Sequence, residues 1–361
     1  MKKLLMAVLC GAFGMLMTAA GEKVGVAMPT KNLERWNHDG ANMKAVLEAK
    51  GYDVDLQYST NNDISIQVNE IENLIQNGCK VLVIAAIDGS SLSSVLANAK
   101  AANIPVIAYD RLIMNTDAVS YYASFDNFKL GEIQGQFIKD KLDLDHAAGP
   151  FNVELFTGSA DDNNAEFYYQ GAMSILKPFI DNGKLKVLSG QTTKAEIATK
   201  NWSTEEAQKR MENLLTGNNY GPDDVKLSAV LGTNDSIANG ISTALIDAGY
   251  TPDNFPIVTG MDCDVMTVRN LLNGSQTMSI FKDTRILADK VVAMVAAILE
   301  GKEPEVNNTT DYNNGVKVIP SYLCDSIIVT KENIAPAGIL PAVSSSTLAH
   351  PCGWSETNQR S

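Results

Sequence analysis

The sequence predicts an α/β fold built from two doubly wound, Rossmann-like parallel-sheet lobes, and three observations carry that prediction. Short apolar segments alternate with stretches of helical periodicity along most of the chain, the pattern of strand–helix–strand units with right-handed crossovers. Some of these segments, Val81-Leu82-Val83-Ile84-Ala85-Ala86 above all, are apolar at every position, as a strand covered on both faces must be. The alternation restarts at Asn127, which implies two sheets rather than one.

Taken in order, Val24-Gly25-Val26-Ala27-Met28 reads as the first strand, entering a polar loop, Pro29 to Trp36. A helical pattern follows to Lys50 and ends at Gly51, a residue suited to a left-handed helix end. Val54 to Tyr58 is the second strand. Ile64, Val68, Ile71, Leu74 and Ile75 fall on one helical face, and Gly78 closes that helix. The Val81 run, a helix to Ala102, the strand opening at Ile104, and Val119 to Ala123 complete the first half. In the second half a helix from Asn127 to Leu142 feeds the strand Phe151 to Phe156. A helix then ends at Phe179, and Leu185 to Leu188 is a strand. Asn201-Trp202 opens a helix capped by Ser203, with Glu206 placed for a capping box. Strands at Leu227–Leu231, Pro256–Thr259 and Thr277–Phe281 precede a long apolar helix from Arg285 to Leu299.

With 361 residues, 45% of them apolar, there is material for two cores. The formal charge of −13 excludes nucleic acid and anionic membrane surfaces as partners, since no basic stripe could hold phosphates. Residues 1–20 have the three parts of an export signal: basic Lys2-Lys3, the apolar run Leu4 to Met17, and the small-residue site Thr18-Ala19-Ala20. The expected address is therefore the periplasm, with the leader cleaved near Ala20. The remaining cysteines (Cys79, Cys263, Cys324, Cys352) show no disulfide framework, and the dispersed His38, His146 and His350 offer little to a metal. No phosphate loop, dinucleotide fingerprint or nucleophile elbow occurs, so neither an enzyme nor a cofactor is expected.

Several strands end abruptly in polar clusters. Ile104 to Tyr109 ends in Asp110-Arg111. Other strands end in Thr157 to Asn164, in Gly232-Thr233-Asn234-Asp235, in Gly260 to Asp264 and in Lys282-Asp283. Ligands of parallel α/β sheets bind beyond the carboxyl ends of strands, so these clusters mark a cleft between the two lobes. Acid beside base suits a neutral polyhydroxylated ligand, each of whose hydroxyls both donates and accepts.

The stretches Met28–Trp36, Val81–Asp88, Ala108–Ile113, Tyr121–Phe128, Gly158–Ala165, Lys177–Gly183, Gly260–Asp262, Ile280–Arg285 and Gly301–Val306 resemble the periplasmic sugar-binding proteins of type I. Within them the likeness is to the ChvE-type multiple-sugar receptors, with the xylose-binding proteins near relatives. It implies lobes of residues 23–124 plus 284–306 and of 125–283 plus 307–333, and a three-crossing hinge; residues 334–361 depart from the family's ending and are expected to form a flexible tail. It further implies a pyranose held by Arg35, Trp36, Asp110, Arg111, Asn164, Trp202, Asn234, Asp262 and Lys282, with Lys31, Asp162 and Asp235 as support behind them. The implied partners are a monosaccharide, the permease of an ABC importer and a chemoreceptor or sensor kinase. The chain itself is expected to be a monomer. A ligand-sensing regulator of the same fold is the rival reading, and the leader in place of a DNA-binding segment argues against it.

Overall fold

The computed structural model describes residues 21–334, so the expectations for the leader and for the tail beyond Ile334 lie outside the described residues. Strand β1 (Lys23–Met28) alternates its side chains between two buried clusters. Val24, Val26 and Met28 pack with Met43 and Leu47 of helix α1 (Glu34–Ala49). Ala27 faces the opposite cluster, with Ile71 and Leu74 of helix α2 (Ile64–Gln76). That two-sided burial explains the continuous apolar runs, each fully buried Val, Leu or Ile contributing about 1.5–3 kcal/mol. Strands β2 (Asp53–Tyr58), β3 (Val81–Ile84), β4 (Val106–Tyr109) and β5 (Val119–Phe125) join β1 in a parallel sheet, with helix α3 (Ser93–Ala101) between β3 and β4.

Helix α4 (Asn127–Lys141) begins the second unit, capped by Asp126. It leads to β6 (Phe151–Leu155), α5 (Asn163–Asp181) and β7 (Leu185–Lys186). A short helix α6 (Lys194–Ile197) precedes α7 (Thr204–Gly217), β8 (Ala229–Leu231), α8 (Asp235–Asp247), β9 (Ile257–Val258) and α9 (Val265–Asn273). The second sheet is parallel, in the order β7-β6-β8-β9. Helices α4 and α5 touch through glycine: a Cβ on Gly131 would sit 2.2 Å from the carbonyl oxygen of Tyr168, and one on Gly171 2.0 Å from that of Phe128.

Strand β10 (Ser279–Phe281) leads into α10 (Thr284–Leu299), whose side packs on α1 of the first unit. The last two strands, β11 (Ser321–Cys324) and β12 (Ile327–Val329), part company. β11 pairs in parallel with β5 and completes the first sheet in the order β11-β5-β4-β3-β1-β2, whereas β12 pairs antiparallel with β10. The expected assignment of residues 307–333 as one block to the second lobe is therefore corrected. The chain passes between the sheets after Cys324, because β11 finds its hydrogen bonds on the open edge of β5. The expected capping box at Ser203 is half formed. Ser203 accepts from the Glu206 amide but donates to Glu205, while the complete box is Thr193 with Glu196.

Candidate functional site

The carboxyl end of β4 is where the site is built. Asp110 follows Tyr109 with a left-handed backbone, φ 59°, a conformation that Asp and Asn tolerate better than other side chains. Its amide donates to the carbonyl of Ala123 at 2.7 Å. Its own carbonyl accepts from Tyr122 Oη (2.7 Å), Ser124 Oγ (2.9 Å) and Asn164 Nδ2 (2.8 Å). With the backbone pinned from both sheets, the carboxylate is free for the cavity, where Arg35 Nη2 donates to it at 2.7 Å. Lys282 Nζ stands 4.0 Å from the same oxygen.

Arg35 and Trp36 lie in the first turn of α1 rather than in the preceding loop. Arg35 is shared among three carboxylates. Nε bonds Asp39 at 3.0 Å, Nη2 bonds Asp110, and Nη1 is 3.7 Å from Asp262 Oδ1. The buried Asp39 is held in turn by the Tyr109 hydroxyl. Burial works against the charge of Arg35, yet Asp110, Asp39 and Asp262 outweigh it and hold the guanidinium firmly protonated. Burial likewise opposes the Asp110 carboxylate, but Arg35 and then Lys282 win and keep it below the usual carboxyl range. Asp39 is pushed up by burial against the pull of Arg35.

Across the cavity Asp262 (φ 103°) and Trp202 (φ 56°) also adopt left-handed backbones. Three such residues in one cleft, none of them glycine, are the kind of strain that concentrates at functional sites. Asp262 Oδ1 lies 3.0 Å from Lys282 Nζ but makes no well-aligned hydrogen bond, and the buried Trp202 Nε1 has no protein partner. The Trp202 ring lies over Gly158, where a Cβ would come within 2.0 Å of it, and stands edge-on to Tyr168. The guanidinium carbons of Arg35 (4.7 Å) and Arg111 (5.0 Å) both lie within cation–π range of the Trp36 ring. Asn234 caps α8 by accepting from the Ile237 amide.

All nine expected binding residues, Arg35, Trp36, Asp110, Arg111, Asn164, Trp202, Asn234, Asp262 and Lys282, line one cavity. Asp162 lines it too, beside Leu33, Tyr168, Ser236, Met261 and Asp264. Lys31 does not: its ammonium lies over the Tyr58 ring, 4.9 Å from its centre. Asp235 stands behind the wall, where it accepts from Ser279, Gln276 and the Asp264 amide.

A family model described as a periplasmic binding protein domain matches residues 24–303. The chain belongs to the periplasmic binding protein family. Its fold is the type I form, with each of the two units built on a parallel sheet. Among relatives of this periplasmic binding protein is the multiple sugar-binding periplasmic receptor ChvE of Rhizobium radiobacter. It is 51% identical over 86% of this chain and 87% of its own length. The D-xylose-binding periplasmic protein of Escherichia coli is 36% identical over 86% of this chain and 88% of that one. Among solved structures, a solute-binding protein of an ABC transporter from Clostridium phytofermentans, with bound β-D-glucose, is 53% identical. It superposes with a TM-score of 0.86 over 90% of this chain and 99% of that one. These relatives are named for binding, not for catalysis.

In this periplasmic binding protein the sequence reading missed Tyr168, Met261 and the Asp39–Tyr109 brace. Tyr168 and Asp39 lie inside helices, away from any strand end. Asp39 is four residues after Arg35, and that i, i+4 charge pair was the legible signal.

Proposed function

We propose that this protein is an exported solute receptor that captures a monosaccharide, an aldose such as xylose, glucose, galactose or arabinose, between two lobes and delivers it to an ABC importer. The observation that carries this reading is the convergence of nine residues from both sheets on one cavity. There an indole N–H and a carboxylate oxygen are buried without aligned protein partners. Such atoms favour a ligand that supplies both acceptors and donors, as sugar hydroxyls do. Asp110 and Asp262 accept from hydroxyl pairs, Arg35, Arg111 and Lys282 donate, and the Trp202 face covers the apolar side of the pyranose. The names and bound ligand of the relatives support the same reading.

The lobes are residues 23–124 with 284–306 and strand β11, against 125–283 with strand β12. Crossings near Ser124, Asp283 and after Cys324 form the hinge. Residues 1–20 are the export leader, which places the mature receptor in the periplasm, where a chemoreceptor or sensor kinase is a second partner. A thermal-shift panel of aldoses tests the function: at least one raises the melting temperature saturably, and a flat response to all of them sinks the reading.

A further inference from the structure

Two of the carboxylates that line the cavity from the second unit, Asp262 and Asp162, differ in the partners their oxygens meet. Asp262 Oδ1 has no aligned hydrogen bond. Both oxygens of Asp162 face protein groups, one through a hydrogen bond and one through an ion pair. Oδ1 accepts from the Asn164 amide at 2.9 Å and so caps α5, while Oδ2 meets Arg111 Nε at 2.8 Å. The pair is almost sealed from water, with side-chain exposures of 9% for Arg111 and 2% for Asp162. It also spans the two sheets, because Arg111 follows β4 of the first and Asp162 follows β6 of the second. Arg111 cannot turn away to other work. Its Nη1 donates to the carbonyls of Ala86 (3.0 Å) and Ile87 (3.3 Å), and its guanidinium carbon is 5.0 Å from the Trp36 ring centre. In the first turn of α5, Asn164 makes a second bridge, from Nδ2 to the carbonyl of Asp110 at 2.8 Å.

We propose that Asp162 is a positioning residue that locks the two lobes together through Arg111 and thereby sets the receptor's overall affinity, leaving the choice among sugars to the rest of the cavity. This rests on the receptor reading above. The bonds of the lock are all protein to protein, so their contribution to closure is the same whichever sugar is bound. A change in the closed fraction rescales every apparent dissociation constant by one common factor. A carboxylate that instead accepted from one sugar hydroxyl would discriminate sugars by that hydroxyl.

The test is Asp162→Asn, which keeps the shape and a good helix cap but removes the charge, with Asp162→Ser as a second capping variant. Far-UV dichroism checks that each folds. Calorimetric titration with D-glucose, D-xylose, D-galactose and L-arabinose is expected to show all measurable affinities weakened together, by about tenfold, with their ratios kept to within about twofold. Small-angle scattering without sugar is expected to show the variants more extended than the wild type. A changed ranking of sugars would make Asp162 a direct sugar contact and overturn the lock, as would unchanged affinities or an unchanged sugar-free radius of gyration. If the wild type binds none of the sugars, the receptor reading falls, while the sugar-free scattering still decides whether the lock exists.

Discussion

Replacing Asp110 by Asn isolates the charge on which the proposed sugar site turns. Asn tolerates the φ of 59° at this position, whereas Ala there would add about 1–2 kcal/mol of backbone strain and confuse the result. Without sugar, the variant loses the 2.7 Å bond from Arg35 to a full carboxylate. Arg35 keeps Asp39 and the distant Asp262, so the expected destabilisation is about 1–3 kcal/mol, below that of a fully stranded buried charge. With sugar, the lost charge-assisted bonds amount to about 2.7 kcal/mol or more, roughly a hundredfold in affinity. At a sugar concentration about a hundred times the wild-type dissociation constant, the wild type gains about 2.7 kcal/mol and the variant about 0.4. An unfolding entropy of about 0.7 kcal/mol/K for a chain of this size turns those gains into about 4 °C and under about 1 °C. Differential scanning calorimetry with and without sugar reads both, and isothermal titration checks the affinity. A variant that melts early yet keeps the full sugar-induced gain would mean that Asp110 is structural only.

The other expectations are quickly stated. Gly158→Ala drives a methyl into the Trp202 ring and should weaken sugar binding by about tenfold or more, with altered tryptophan fluorescence; unchanged affinity and spectrum would contradict the packing. Burial, and after it Asp262, pushes Asp235 up to about 7, and Asp264 is raised by burial and by Asp235. Because the folded value of Asp235 exceeds the unfolded carboxyl value of about 4, its stabilisation is full below about pH 4 and is lost as pH rises through about 7. Asp235→Asn should therefore flatten the fall in melting temperature over that window, and a slope identical to wild type would refute the assignment. Mass spectrometry of the periplasmic fraction should find a mature chain lacking residues 1–20; an intact Met1 would count against the leader. Sugar at saturation should reduce the radius of gyration, and an unchanged value would mean the lobes do not close on it.

What the sequence determined alone was whatever is local in the chain. The strands and helices follow from periodicity, and the unbroken apolar run at Val81 announced a sheet covered on both sides. Asp110, Arg111, Asn234, Asp262 and Lys282 were legible because in a parallel sheet the ligand end is the carboxyl end of each strand, a rule that needs no coordinates. The tertiary structure decided what depends on contacts distant in sequence. It sent β11 and β12 to different sheets, though two residues separate them, because each pairs with an edge that the chain had laid down long before. It placed Lys31 outside the cavity and Tyr168 inside it, since a side chain's direction is set by the packing of its element rather than by its neighbours in sequence. And it divided the carboxylates by their partners: Asp39 accepts from Arg35, Asp162 accepts from the Asn164 amide and pairs with Arg111, and Asp262 keeps an oxygen without an aligned hydrogen bond. Composition cannot tell these apart, because a carboxylate's role is fixed by which donors the fold brings within about 3 Å of it.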